Sequence, residues 1–393
     1  MEILLDASSL NYPLSGIGYY CLNLYKSLLK VNSGKHNFHF LWHHKKIEDE
    51  EAKFLFQALE ESRSNLIFQK EYFQNLSPFV PKLHRYLRYA DRRLNSLRGF
   101  NTNDYDVYHG QDLLFDIPGK ARDISTIHDL TTVKFPGFHA EVNIIRNEKK
   151  LNYLRENASA VVSVSKHTEK DLLEYYPEFV NRSHVIYNFC HEIFEKESSS
   201  FSTEIIDKLQ LRNVPYLLSV CTIEPRKNLI QVLRVFELLK QETKYKDIKL
   251  VLAGDYGWGN SDFNREFSEH KYKKDIIITG YLRLEDLPIL YKNALIFYYL
   301  SLYEGFGLPV LEAMKVGSVV IASNVSSIPE VTGKDGAVLV DPQSLEEVLE
   351  QSRNLLEKPS LREAYRQNGM KNSAFFQPEE IAKQYLALYE ALN

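Results

Sequence analysis

Cysteine is scarce. Cys21, Cys190 and Cys221 are the only three in 393 residues. An odd, sparse set builds no disulfide framework, and no Cys-x-x-Cys or Cys/His spacing points to zinc. A reducing compartment fits best. Long apolar runs are also missing: the longest, such as 294–300, are too short to cross a bilayer. The opening Met-Glu-Ile-Leu-Leu-Asp has neither the basic segment nor the apolar stretch of a signal peptide, so none is expected. A cytoplasmic location is expected, with room for peripheral association at the inner face of the plasma membrane. Nor is there an excess of positive charge. Lys and Arg number 48 against 52 Asp and Glu, a formal net charge of −4. That balance argues against a nucleic-acid partner, and any anion site must be local. Hydrophobic residues at 44% and charged residues at 25% exclude a disordered or collagen-like chain. At about 150 residues per domain the length predicts two or three domains.

Short β-branched or apolar runs alternate with helical patterns along nearly the whole chain, which predicts an α/β fold with parallel sheets. The second half is the clearer. Strands read at 216–220, 249–253, 276–279, 295–300, 319–322 and 337–340, with helices at 229–240, 284–293, 310–316 and 345–357. Six strands with intervening helices make one doubly wound domain. The first half repeats this with longer insertions: strands at 2–6, 38–42, 107–109, 124–128, 160–164 and 184–187, and helices at 17–29, 141–155 and 168–175. The polar, serine-rich stretch 195–203 reads as the linker between them. Ligands of open α/β sheets sit at the carboxyl ends of strands, so residues that follow strands are the candidates for function.

Four such segments stand out. Glu304-Gly-Phe-Gly-Leu-Pro-Val-Leu-Glu312 follows one strand and opens a helix. Its glycines let backbone approach a ligand closely, and free N–H groups at the helix start favour an anion. Ser219-Val-Cys-Thr-Ile-Glu-Pro-Arg226-Lys227-Asn228 sets two cations at a helix start. They oppose the helix dipole there, a conflict that an anionic ligand resolves. Ser15-Gly-Ile-Gly18 follows the first strand, and Ser125-Thr-Ile-His128-Asp129-Leu130 ends another with a histidine facing the predicted cleft. Taken singly, each reads first as something plainer: a glycine turn, a solvated charge pair, or a structural histidine satisfied by nearby backbone.

Together they resemble one family. With Ser163-Val-Ser165-Lys-His-Thr and Ala322-Ser-Asn-Val-Ser-Ser-Ile-Pro-Glu330-Val, they are similar to the retaining glycosyltransferases of the GT-B fold, family 4 (group 1), over nearly the whole chain and in the family's order. The resemblance implies two Rossmann-like domains facing a cleft. The first is residues 1–194, acceptor-binding, joined by a helix within 376–393 that crosses back to it; the second is residues 204–375, donor-binding. It also implies roles. Arg226 and Lys227 hold the donor diphosphate, helped by amides near Gly307 and Leu308. Glu312 binds the nucleotide ribose and Glu304 the donor sugar's hydroxyls. Gly16 lines the site from the first domain, and His128 contacts the sugar near the reacting centre. Tyr281 and Leu282 face the base, while Gly18, Tyr19 and Ser165 lie on the acceptor side. The sequence departs from the family with Asn188-Phe189 where Asn-Gly is frequent and Tyr19 at a frequently basic position.

The expected reaction moves a hexose from a nucleotide-diphosphate sugar to a hydroxyl of a glycan or lipid-linked oligosaccharide, with retention and by front-face attack. No cofactor and no metal are expected, the cations taking the metal's part. Gly257-Trp258 in the loop 254–259 resembles mannosyltransferases of the family, which makes GDP-mannose the leading donor. Alternatives are a UDP-sugar donor, a phosphorylase or epimerase of the same fold, and a catalytically silent sugar-binding subunit of an envelope-assembly complex. Asp104-Tyr-Asp106 mimics a metal motif, but it leads into a strand and reads as structural. The stretch 82–98 carries six basic residues against Asp91, with leucines at helical spacing. It reads either as a basic helix on an anionic membrane surface or as a solvated helix packed on its own domain.

Overall fold

Two separate parallel sheets form, and between them they use every strand read from the sequence. They are seen in a computed structural model that describes residues 1–10, 14, 16–42, 65–68, 102–111 and 119–392. Ser15 and the basic stretch 82–98 lie outside the described residues. The first sheet contains β1 (Glu2–Asp6), β2 (Asn37–Trp42), β3 (Asn65–Phe68), β4 (Val107–Gly110), β5 (Arg122–Ile127), β6 (Ala160–Ser163) and β7 (Ser183–Val185), in the order β3-β2-β1-β4-β5-β6-β7. The second contains β8 (Tyr216–Val220), β9 (Lys249–Ala253), β10 (Ile276–Ile278), β11 (Ile296–Tyr299), β12 (Val320–Ser323) and β13 (Val338–Val340), in the order β10-β9-β8-β11-β12-β13. Every strand pairing is parallel. In both sheets the order reverses at one place, between β1 and β4 and between β8 and β11. Those switch points are where a doubly wound sheet opens a crevice for a ligand.

Strands β1, β6, β8, β9, β11 and β12 are nearly continuous apolar runs because both faces are covered. In β11 all four residues are buried, and alternation sends Phe297 and Tyr299 to one core and Ile296 and Tyr298 to the other. At the first switch point the buried Asp6 carboxylate accepts from Ser8 N at 2.9 Å and Gln111 N at 3.3 Å, tying the end of β1 to the segment after β4.

The last helix, Pro378–Leu392, returns to pack against the helix Gly16–Val31. The Tyr20 and Tyr385 hydroxyls meet at 2.5 Å, and the Tyr389 hydroxyl lies 2.7 Å from His109 Nδ1. Burial lowers the His109 pKa to about 3, so the imidazole stays neutral between Tyr389 and Thr126.

Several elements escaped the sequence reading. β3 is a tetrapeptide, the apolar face of the helix Ser261–Glu269 is a single Phe263/Phe267 pair, and the helix Pro359–Ser373 is too polar to show a clear apolar stripe. The expected linker 195–203 is more ordered than its composition implies: it carries the turn Ser198–Ser200 and leads into the helix Glu204–Lys208, anchored by buried Ile205 and Ile206. Among the described residues no helix is long and apolar enough to cross a membrane.

Candidate active site

The second switch point gathers charge. After β8 the chain makes a short 3-10 turn, Pro225–Lys227, which ends at Asn228 in the left-handed region (φ 53°) before the helix Leu229–Lys240 begins. This turn aims Arg226 and Lys227 at the loop that follows β11. Lys227 Nζ lies 2.6 Å from Glu304 Oε1 and 3.3 Å from the Tyr299 hydroxyl. Arg226 lies 2.9 Å from Glu304 Oε2, 2.8 Å from Glu224 Oε1, and donates to the Tyr303 carbonyl at 2.8 Å. Burial pushes the Glu304 pKa up, but Arg226 and Lys227 outweigh it and hold the carboxyl at about 2. Burial alone would lower the Arg226 pKa; Glu304, Glu224 and Asp129 reverse that and raise it. The two cations are thus balanced by two carboxylates, all four largely buried.

Glycines set the loop geometry. Gly307 sits at φ 102° and caps the helix Leu308–Lys315, with Pro309 in its first turn. The same loop is held from the segment after β12 by Ser327 Oγ, which donates to the Glu304 carbonyl at 3.0 Å and the Phe306 carbonyl at 2.8 Å; Ser326 Oγ accepts from Glu304 N at 3.0 Å. Within the helix, Glu312 is partly buried and accepts from the Tyr291 hydroxyl at 3.0 Å. Burial raises its pKa to about 7. The glycines of 254–259 brace the cationic loop: a Cβ at Gly254 would overlap the Cys221 carbonyl oxygen.

The first lobe closes on this loop. A Cβ at Gly305 would overlap the His128 carbonyl oxygen, so only glycine permits the approach. The His128 ring meets Tyr20 edge-on at 5.1 Å. Gly16 opens the helix Gly16–Val31 and is exposed, with space around it. The Tyr19 and Tyr281 hydroxyls lie 3.2 Å apart across the lobes; Tyr281 is exposed and Leu282 partly buried. Two acceptor-side expectations are corrected. Ser165 is fully buried and caps the helix Lys166–Tyr175, accepting from Thr168 N at 3.0 Å. Gly18 is buried because a Cβ there would lie 2.7 Å from the Ser9 carbonyl oxygen. Both serve the fold. Asp106 is structural as read, accepting from Glu2 N at 2.8 Å.

Three further sets of contacts at the lobe junction were not read from the sequence. Glu330 accepts from Lys166 N, His167 N and the Tyr187 hydroxyl at 3.1, 3.0 and 3.1 Å. A carboxylate from one lobe therefore sits on a helix start of the other, where the dipole favours it. Tyr303 donates its hydroxyl to Asp171 at 2.6 Å, and Asp171 also pairs with Lys134 at 2.6 Å. Trp258 Nε1 donates to the Phe138 carbonyl. The signal for the first existed, because Ile-Pro-Glu330 lies in a segment that resembles the family; the others join residues more than a hundred positions apart.

A family model described as glycosyl transferases group 1 matches residues 201–372, and one described as glycosyltransferase family 4 matches residues 14–191. The chain belongs to the family 4, group 1 glycosyltransferases and has their two-lobed GT-B fold. It is similar to O-antigen chain mannosyltransferase B of Escherichia coli, 29% identical over 395 residues and covering all of both chains. Among solved structures it resembles Anabaena Alr3699/HepE in complex with UDP and glucose, with TM-score 0.69, 15% identity and 100% of both chains covered. It also resembles WaaG, a glycosyltransferase involved in lipopolysaccharide biosynthesis, with TM-score 0.71, 12% identity and 99% of both chains covered.

Proposed function

We propose that this glycosyltransferase is a mannosyltransferase of surface-polysaccharide synthesis. It moves mannose from GDP-mannose to a hydroxyl of a glycan or lipid-linked oligosaccharide, with retention and without a metal ion. The observation that carries this reading is the Arg226–Lys227–Glu304 cluster at the β8/β11 switch point. The full-length likeness to an O-antigen chain mannosyltransferase supports the sugar and the setting.

Negative charge develops on the departing diphosphate, and preorganised cations in a water-poor crevice stabilise it strongly. Arg226 and Lys227 exchange Glu304 for the diphosphate oxygens when the donor enters. Glu304, released from them, accepts hydrogen bonds from the donor sugar. The acceptor oxygen then bonds to the anomeric carbon on the face from which the diphosphate leaves. The bond from that carbon to the phosphate oxygen breaks, and the acceptor's proton passes to the leaving oxygen. Neither Glu304 nor Glu312 is needed as a nucleophile. A lipid-linked acceptor would bring the enzyme to the inner membrane face, and the basic stretch 82–98 supports that placement.

The test is a thermal-shift screen of GDP, UDP and their sugar conjugates, followed by transfer assays with the ligand that stabilises most. GDP-mannose should raise the apparent melting temperature more than UDP-glucose does. A larger shift with UDP-glucose would reject the donor; no shift with any nucleotide sugar would reject the reading.

A further inference from the structure

The helix Glu141–Asn157 is turned the wrong way for one that merely covers a sheet. In its first turns the apolar Val142 and Ile145 face solvent, 69% and 43% exposed, while Asn143, Arg146, Asn147 and Lys150 line a cavity of about 270 Å³. Those four are spaced i, i+3, i+4, i+7, the stripe that a packing helix gives to apolar side chains. They descend from exposed Asn143 to Lys150, which is only 4% exposed and donates to the carbonyls of Gln111 at 2.8 Å and Thr126 at 3.3 Å. Breaking the binary pattern in this way, and burying a lysine to do so, marks a functional site rather than a packing surface.

The far wall of the cavity is the loop after β5, including His128 and Asp129. That loop touches the donor side of the cleft, since the His128 carbonyl abuts Gly305. Asp129 is fixed by Thr131, whose N and Oγ1 donate to its Oδ1 at 2.9 and 2.5 Å, and it is close enough to Arg226 to raise that group's pKa. The cavity therefore opens beside the position of the departing diphosphate. Its chemistry is mixed. Asn143 and Asn147 both donate and accept, Asn147 already giving one N–H to Thr132 Oγ1; Arg146 donates, and Asp129 accepts. A phosphate only accepts: Arg146 would draw it, but Lys150 is turned to two backbone carbonyls and Asp129 would repel it. Sugar hydroxyls do both, and the volume suits about one pyranose ring.

We propose that this cavity seats the terminal sugar of the acceptor, a neutral pyranose whose hydroxyls are read by Asn143, Arg146 and Asn147 and presented past Asp129 to the donor. The inference rests on the glycosyl-transfer reading and deepens it: specificity for the acceptor is set by a polar helix stripe, not by Gly18 or Ser165.

The test titrates mannobiose, di-N-acetylchitobiose, inorganic phosphate and GDP separately into the full chain, as wild type, Asn147→Leu and Asn143→Ala. One of the disaccharides should saturate the wild type, and its affinity should fall about tenfold in Asn147→Leu and about threefold in Asn143→Ala, as for lost buried and rim hydrogen bonds. GDP affinity should move far less than disaccharide affinity. Asn143 is exposed, so its variant reports even where Asn147→Leu fails to fold. Equal disaccharide binding by wild type and Asn143→Ala, no binding of either disaccharide to wild type, or phosphate bound in competition with the disaccharide would each overturn the inference. Disaccharide binding that the variants weaken, in a wild type that binds no GDP, would support the cavity while rejecting the proposed donor.

Discussion

Glu304 is the residue that most constrains the chemistry. It is buried against two cations, so neutralising it removes the one carboxylate that pairs with both Arg226 and Lys227 among the described residues. Glu304→Gln should lower kcat by about tenfold or more while GDP affinity holds or rises, because the cations then need not surrender a carboxylate. A parallel loss of both, measured by steady-state kinetics and calorimetry, would contradict this. Lys227→Ala should reduce kcat by about 100-fold with the circular dichroism spectrum retained, the scale found for losing one charge-stabilising donor. Glu312 behaves oppositely. Its native pKa of about 7 lies above the ordinary value of 4.5, so between those pH values the folded chain holds a proton that the unfolded chain has lost. Its contribution to stability therefore falls as pH rises through that window. An ionised Glu312 is the better acceptor for ribose hydroxyls, so GDP affinity should rise from pH 6 to 8 and flatten in Glu312→Gln. Titration calorimetry at several pH values measures both. That Arg226, Lys227 and Glu304 meet was legible because their segments follow the neighbouring strands β8 and β11, whose ends face the crevice, whereas the roles of these residues and of Glu312 came from the family resemblance alone. Glu224 was printed in the same segment, but its partner could not be read: a carboxylate two residues before an arginine pairs with it only when the intervening turn folds back. Ser165 misled because a serine before a helix serves equally as a cap.

At the scale of elements, the glycine loop and the helix Lys166–Tyr175 govern how the lobes meet. Gly305→Ala should hold them apart, since its methyl group would occupy the place of the His128 carbonyl. We expect kcat to fall at least about tenfold with GDP binding largely retained, and small-angle scattering to report a larger radius of gyration. Unchanged kcat and radius would mean that the close approach is incidental. The strands were legible because parallel strands buried on both faces are plain apolar runs. The helix Pro359–Ser373 was not, because tertiary contacts rather than its own pattern hold it; Ser261–Glu269 was not, because Phe263 and Phe267 are too short a signal in a polar run. The stripe 143/146/147/150 shows why polar helices deserve the same periodicity count as apolar ones.

At the scale of the molecule, the two sheets share one strand order yet differ in how they are completed. One buried cluster runs through both lobes, and in the first it is completed by Tyr385 and Tyr389 from the returning helix. Tyr385→Ala should cost about 3–5 kcal/mol by emptying a fully buried aromatic site. Denaturant unfolding followed at the first lobe should show the loss. A cost below about 1 kcal/mol would make the returning helix an accessory.

That returning helix also sets a clock on biosynthesis. Chains emerge from the ribosome in order, and leading domains commonly fold before trailing ones are made. Here the leading sheet must wait for residues 378–392, which follow the whole trailing sheet in translation. Until then Tyr20 and His109 lack the hydroxyls of Tyr385 and Tyr389, and the core of the nascent lobe stands incomplete.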